Sequence, residues 1–245
     1  AANPPRFGVN WRTTMEVGIR ASNWVWALSI LGDTPSIPPA IRWLVAKSLY
    51  QHGIHITNHL EYQADYTSNH YLANVVGLMH IGVAYPEFKE SAGWLDFCLE
   101  QLVSEMRRTV YPDGVNYECS TGYHRLVTEM FLHGALLTLR LSPEQRSMIA
   151  SVKRRTVKAT DHRHDSGRRE FDPNKDAVLP NWFWLRLHRM LGYVEDVTKP
   201  NGLALQFGDQ DSGRFLKLSW IGRTSGSEDL VEEFRDHRHL LAVGA

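Results

Sequence analysis

The sequence is poor in the features that most readily disclose a protein's class. It holds two cysteines in 245 residues, Cys98 and Cys119. The first falls on an expected helix face and the second in a loop, so neither a disulfide framework nor a CxxC metal site is indicated, and the redox compartment stays open. No apolar run reaches the roughly eighteen residues that a membrane-spanning helix needs. The N-terminus lacks the charged-then-apolar pattern of a signal peptide. Net charge is absent as well: 27 lysines and arginines balance 27 aspartates and glutamates, which argues against a general attraction to nucleic acid or acidic membranes. No low-complexity linker divides the chain. It begins Ala1-Ala2-Asn3 without methionine and ends in the apolar Leu240-Leu241-Ala242-Val243, which reads as a processed or truncated piece, so the missing signal pattern carries little weight.

What is present is helical periodicity. Apolar residues recur at helical spacing from Thr13 to Leu31, and a second helix is expected from Pro38 to Asn58, with prolines in its first turn where a missing N–H costs nothing. Further helices are expected over Asn69 to Val83, Pro86 to Thr109 and Thr121 to Arg140. Ser142-Pro143-Glu144 caps a sixth that extends to about Ala159, and a seventh runs from Pro180 to Val197. Pro112-Asp113-Gly114 and Pro200-Asn201-Gly202 are turn signals. Between helices six and seven lies a charged loop rich in histidine, from His162 to Arg169, and Phe215 to Ile221 reads as a short strand. Twelve histidines and eight tryptophans are generous for this length; any single tryptophan is read as core before sugar platform.

Helix follows helix through mostly short turns, with almost no sheet. The odd helices are rich in small residues (Gly18, Ala21, Gly77, Gly134, Ala135), and the even ones carry more charge on one face. An inner ring wrapped by an outer ring, an all-α (α/α) toroid of antiparallel hairpins with a short irregular or β-like C-terminal segment, is the economical architecture. A long stacked solenoid is the alternative. Residues 1–245 are read as one domain.

Alternating helices place the starts of helices one, three, five and seven at one end: Asn10-Trp11, Ser68-Asn69-His70, Ser120 to His124, and Asn181-Trp182. Four helix N-termini around one mouth would direct unpaired N–H groups toward it and favour an anionic ligand. Asn69, His70 and Tyr123 then supply carboxamide, imidazole and phenol, which suit removal of a proton next to a carboxylate. Each also has a structural reading: Asn69 as a helix cap, His70 as a hydrogen-bonded structural histidine, Tyr123 as a half-buried aromatic. His55 and His59 have the i, i+4 spacing of metal ligands but lack the glutamate of HExxH. Asp209 and Asp211 lack the later ligands of an EF-hand loop, and brace a turn with Arg214 instead. No metal and no cofactor are expected.

Taken in order along the chain, these blocks are recognisable. Asn10-Trp11 with Met15-Glu16-Val17 to Arg20 and Asn23-Trp24, Ser68-Asn69-His70-Tyr71-Leu72 to Gly77-Leu78, Asp113-Gly114 to Glu118, Ser120, Tyr123 and His124, Lys199-Pro200-Asn201-Gly202, and Gly208-Asp209-Gln210-Asp211-Ser212-Gly213-Arg214 resemble the helical toroid of the heparinase II/III-like polysaccharide lyases, a group that includes alginate lyases. The resemblance implies β-elimination on an acidic polysaccharide containing uronic acid, such as heparan sulfate or alginate. It implies that Asn69 and His70 neutralise the uronate carboxylate and that Tyr123 exchanges protons with C5 or the leaving oxygen. His124, Arg125, Glu118, Asn10, Trp11, Asn181 and Trp182 become candidate substrate-binding residues. It also implies a periplasmic or secreted setting and a β-sandwich domain after the toroid. That domain is absent from this chain, so the toroid would be incomplete as a catalyst. A glycan-binding toroid without chemistry and a hydrolase using two carboxylates among Glu16, Glu118 and Asp209 are the competing readings.

Overall fold

The computed structural model describes residues 3–32, 34–35, 37–153, 169–210, 213–216 and 235–244. A single 3-10 turn, Val9–Trp11, leads into α1 (Thr14–Leu31), α2 (Pro39–Asn58), α3 (Asn69–Ala84), α4 (Ser91–Thr109), α5 (Thr121–Leu139), α6 (Pro143–Ser151), α7 (Asn181–Asp196) and α8 (Arg238–Gly244). The fold is all-α, an incomplete α/α toroid, and among the described residues only two isolated β-bridges occur, Val110 with Asn116 and Thr198 with Ala204.

Local chemistry sets the helix boundaries. Ser68 Oγ accepts the His70 N–H at 3.3 Å and Ser120 Oγ accepts the Tyr123 N–H at 3.1 Å, so α3 and α5 each open on a serine cap. Ser142 and Gln145 form a reciprocal capping box at the start of α6. α1 stops at Gly32, whose φ is +52°. α4 starts at Ser91, later than expected from Pro86, because residues 85–88 form a turn that the Ser91 hydroxyl closes on the Tyr85 carbonyl at 2.6 Å. α6 ends at Ser151; the expected continuation to Ala159 and the histidine-rich loop up to residue 168 lie outside the described residues, as do residues 217–221 of the expected strand.

Helices α1, α3 and α5 run parallel as an inner row. Met15 meets the residues before α3, Ser22 reaches His80 late in α3, and His80 lies 6.0 Å from His133 late in α5. α2 and α4 return antiparallel outside them: Tyr71 at the start of α3 donates to Gln101 in the second half of α4, whereas Ser91 at the start of α4 sits by Tyr85 beyond the end of α3. α6 packs outside α4. α3 is the hub, touching α1, α2, α4 and α5, and it is buried without a break from Tyr71 to Gly82. The backbones of α1 and α3 come into direct contact. A Cβ on Gly77 would lie less than 3.0 Å from Gly18 backbone atoms, and a Cβ on Gly18 would strike the Ala73 carbonyl.

α7 departs from the expected alternation. Phe183 packs against Phe131 in the middle of α5, while the Met190 carbonyl, two turns later in α7, meets His124 in the first turn of α5. α7 therefore runs antiparallel to α5, and its start, with Asn181 and Trp182, lies away from the starts of α1, α3 and α5. The cause is the return path: residues 175 and 176 lie beside Arg146 in α6, so the chain enters α7 from the far end of the inner row. No helix among the described residues is long and apolar enough to cross a membrane.

Replacing Gly77 with valine would force α1 off α3, and a cost of about 1–3 kcal/mol is expected from overpacking. Urea unfolding should show a lower midpoint at unchanged slope; an unmoved midpoint would contradict the close approach.

Candidate functional site

Three helix starts, not four, share one end of the molecule. Each start is closed by the protein itself. The Met15 N–H of α1 donates to Glu61 Oε2 at 2.6 Å. The Asn69 N–H of α3 donates to Glu118 Oε1 at 3.1 Å, and the Asn69 side-chain amide donates to Glu118 Oε2 at 2.9 Å. At α5 the Thr121 N–H goes to the Phe207 carbonyl at 3.0 Å and the Tyr123 N–H to Ser120 Oγ. The expectation of open N–H groups at the mouth is corrected accordingly: two internal carboxylates occupy the positive ends of α1 and α3, where the helix dipoles stabilise them.

Asn69 is buried, and its amide has a second hydrogen beyond the one given to Glu118. His70 follows it with a half-exposed ring. Its Nδ1 lies 3.1 Å from Glu61 Oε1, and the hydrogen bond to Glu61 raises its pKa above the ordinary 6.5 against the opposing effect of burial, with Glu118 and Glu16 adding to the rise. Burial pushes the Glu61 carboxyl upward, but the hydrogen bonds from His70, Asn74 and the Met15 N–H together hold it below the usual 4.5. His70 and Glu61 thus form a hydrogen-bonded pair at the mouth, an ion pair whenever the ring is protonated.

Tyr123 stands on the first turn of α5. Its hydroxyl faces Asp209 Oδ2 at 3.5 Å, and the Ser120 hydroxyl donates to the Asp209 carbonyl. The 205–210 segment lies directly over this helix start, with Thr121 Oγ1 bonded to the Leu205 carbonyl at 2.8 Å. Gly208 makes the contact possible: it has φ +69°, and a Cβ there would meet the Cys119 carbonyl and the Ser120 Cα at less than 3.0 Å. The structure therefore brings Asn69, His70, Glu118 and Tyr123 to one end, together with Glu61 and Asp209.

The other candidates divide differently. His124 is buried with both ring nitrogens engaged: Nδ1 accepts the Asn116 N–H at 3.3 Å, so the proton sits on Nε2, which faces the Met190 carbonyl at 3.1 Å. Burial lowers its pKa to about 4. It braces α5 against α7 and has no nitrogen left for substrate, a correction to its place among the binding residues. Arg125 is also buried, donating to the Gly213 carbonyl, and supports the loop from beneath. The guanidinium groups of Arg107 and Arg186 lie 4.7 and 5.2 Å from the Trp182 ring, which packs α7 on α4 away from the mouth. Trp11 is buried against His52 and His55. The Asn10 carbonyl accepts from Arg20 at 3.0 Å. Both line a cavity of about 570 Å³ between α1 and α2. His55 and His59 stack at 4.3 Å, and among the described residues no third ligand completes a metal-binding group.

Sequence reasoning missed Glu61, and it gave Asp209 a turn or a place in the hydrolase reading but not a contact with Tyr123. Glu61 precedes α3 in an aperiodic loop, and its contact with Met15 spans 46 residues. No local spacing announces it.

These features define a class first: an all-α chain whose inner-row helix starts gather carboxamide, imidazole and phenol around two capping carboxylates. The family model described as the heparinase II/III N-terminus matches residues 2–162, and the chain belongs to that family. It is 29% identical over 136 residues to a heparin-sulfate lyase of Pedobacter heparinus, a span that is 55% of this chain and 20% of the relative. It is 27% identical over 121 residues to a heparin-sulfate lyase of Bacteroides stercoris, 49% of this chain and 17% of that one. Among solved structures, the heparinase III-BT4657 gene product aligns with TM-score 0.52 at 18% identity, over 79% of this chain and 25% of the other. The heparan sulfate lyase HepC from Pedobacter heparinus aligns with TM-score 0.50 at 21% identity, over 82% and 26%. These structures share the fold. The chain spans about a fifth of the length of the curated relatives it matches.

Glu118→Ala would leave the Asn69 N–H and amide without their acceptor, at an expected cost of about 1–3 kcal/mol in unfolding free energy; unchanged stability in a denaturant titration would contradict the cap. Acid should act through the buried histidines. Burial lowers His52, His124 and His133 to about 4 and His80 to about 3 from 6.5. The unfolded chain binds their protons first, so their contribution is full above 6.5 and lost as pH falls toward 4. Glu105, raised by burial to about 7 from 4.5, works the other way over that interval, but the histidines outnumber it. The denaturation midpoint should drop between these limits; a flat profile would show the histidines to be solvated.

Proposed function

We propose that the chain forms one wall of the cleft of a polysaccharide lyase that cleaves a heparin- or heparan sulfate-like glycan by β-elimination at a uronate. The observation that carries this reading is the placement of the Asn69 amide, held by Glu118, beside His70, whose Nδ1 faces Glu61, one parallel helix away from Tyr123. In the reaction the C5–H bond breaks, its proton passes to a base, and its electron pair forms the C4–C5 double bond. The C4–O bond breaks with its electrons leaving on the glycosidic oxygen, which takes up a proton. Negative charge develops on the carboxylate as C5 loses its proton, so donors aimed at that group are the main catalytic requirement. His70 and the free amide hydrogen of Asn69 supply them.

Tyr123 serves as the proton carrier. Its hydroxyl is directed at Asp209, an acceptor for the phenolic proton when the oxygen must act as a base. Asn10 and Trp11 fit a more distant sugar contact on the α1 flank. Family membership and the named activity of the relatives favour a sulfated glycosaminoglycan over alginate as substrate. Because those relatives are several times longer, the same reading places residues 1–245 as one toroid unit of a longer periplasmic or secreted protein, with a β-sandwich domain as the other wall of the cleft.

The full-length protein mixed with heparan sulfate should release oligosaccharides ending in an unsaturated uronate, read by its ultraviolet absorbance. Tyr123→Phe should lower kcat by about 10²–10⁴-fold, the usual worth of a positioned acid–base group, while substrate affinity is retained. A folded Tyr123→Phe protein that keeps its rate would remove Tyr123 from the chemistry. Binding without unsaturated product from any uronate polymer would leave a glycan-binding toroid.

A further inference from the structure

We propose that Glu61 is the positioning residue for His70, fixing the ring's orientation and holding a proton on Nδ1 so that Nε2 is the nitrogen presented to the substrate carboxylate. The inference rests on the lyase reading for its catalytic consequence, but its geometric content stands apart from it.

The clamp on Glu61 is unusually complete for a loop residue. Oε1 faces His70 Nδ1 at 3.1 Å. Oε2 accepts from the Met15 N–H at 2.6 Å and from the Asn74 side-chain amide at 3.2 Å. The Glu61 N–H in turn donates to Asn74 Oδ1 at 2.8 Å. Asn74 is fully buried and lies one turn after His70 on α3, so a single helix face grips the backbone and the carboxylate of Glu61 together. The carboxylate cannot swing away from His70 without losing its hydrogen bonds to the Met15 N–H at the start of α1 and to Asn74.

An ionised carboxylate only accepts hydrogen bonds. The contact therefore fixes the tautomer: the proton belongs on Nδ1. Among the described residues no protein hydrogen bond reaches Nε2. When the ring is cationic, Nε2–H is a charge-assisted donor aimed at an anion. When it is neutral, Nε2 becomes a bare lone pair that repels a carboxylate. The groups that bear on this balance are Glu61 from the α2–α3 loop, Glu118 from the α4–α5 loop and Glu16 from the first turn of α1, all of which favour the cation, with Asn69 and Asn74 on the helix itself. A glutamate serving α1 alone would need only Oε2; the alignment of Oε1 on His70 is what the capping role leaves unexplained.

The test begins with the unmutated chain. Nitrogen-15 NMR of its histidine side chains should show His70 as the Nδ1–H tautomer at alkaline pH, titrating above 6.5. An Nε2–H tautomer, or a midpoint at or below that value, overturns the proposal whether or not any variant folds. In Glu61→Gln the His70 midpoint should move down by about one unit, with partial recovery in Glu61→Asp. In the full-length enzyme on heparan sulfate, the alkaline limb of kcat/KM should move to lower pH by the same amount. That is about a tenfold loss on that limb and a smaller loss at mildly acidic pH. A folded Glu61→Gln enzyme with an unmoved limb contradicts positioning. If the NMR result holds but no unsaturated uronate forms from any polymer, the lyase reading fails and the positioning of His70 survives.

Discussion

The direct backbone contact of α1 on α3, at Gly18, Ala73 and Gly77, is the constraint from which the rest of the arrangement follows. With no side chain between the two helices, their axial register is set by main-chain contact. That register brings the first turn of α1 level with the loop before α3. It places the Met15 N–H on Glu61, and Glu61 on His70. A larger residue at either glycine would part the helices and shift a hydrogen-bonded chain that ends on the candidate catalytic ring. Core packing and site geometry are thus one problem at this point of the molecule.

The second consequence is electrostatic. Parallel inner helices put several positive dipole ends on one side, an arrangement that would attract any anion if left open. Here Glu61 and Glu118 cap two of those ends. The positive character of the mouth then rests on side chains, above all on His70, whose charge depends on pH in a way that a helix dipole does not. Tyr123, facing Asp209 across the cap of α5, is likewise held by a carboxylate. Each of the three candidate catalytic groups has an acidic partner: Glu118 for Asn69, Glu61 for His70, Asp209 for Tyr123. This arrangement keeps the acids bound to the scaffold and leaves carboxamide, imidazole and phenol for the proposed substrate, and it weakens the two-carboxylate hydrolase reading.

The inner row was legible because its signals are local. Serine caps at Ser68 and Ser120, apolar residues at helical spacing and the Pro112-Asp113-Gly114 turn each act within a few residues, and the structure places α1, α3 and α5 where those signals put them. The direction of α7 was not legible. Alternation presumes that every helix spans the layer and that every connection is short, whereas α6 has nine residues and the chain then returns past Arg146 before α7 begins. The acidic partners were equally hidden, since carboxylates in aperiodic loops reach their targets only through tertiary contact. His124 shows the converse error. Its neighbour Tyr123 points to the mouth, but one residue along a helix turns a side chain by about 100°, which sends His124 into the core.

The central claim is that the end of the molecule formed by the starts of α1, α3 and α5 receives the uronate carboxylate. A crystal structure of the full-length Tyr123→Phe protein soaked with a heparan sulfate tetrasaccharide tests it most directly. The account requires a uronate carboxylate within hydrogen-bonding distance of both the Asn69 amide and His70 Nε2, with C5 facing residue 123. A tetrasaccharide bound elsewhere, with Asn69 and His70 touching only Glu118 and Glu61, would contradict it.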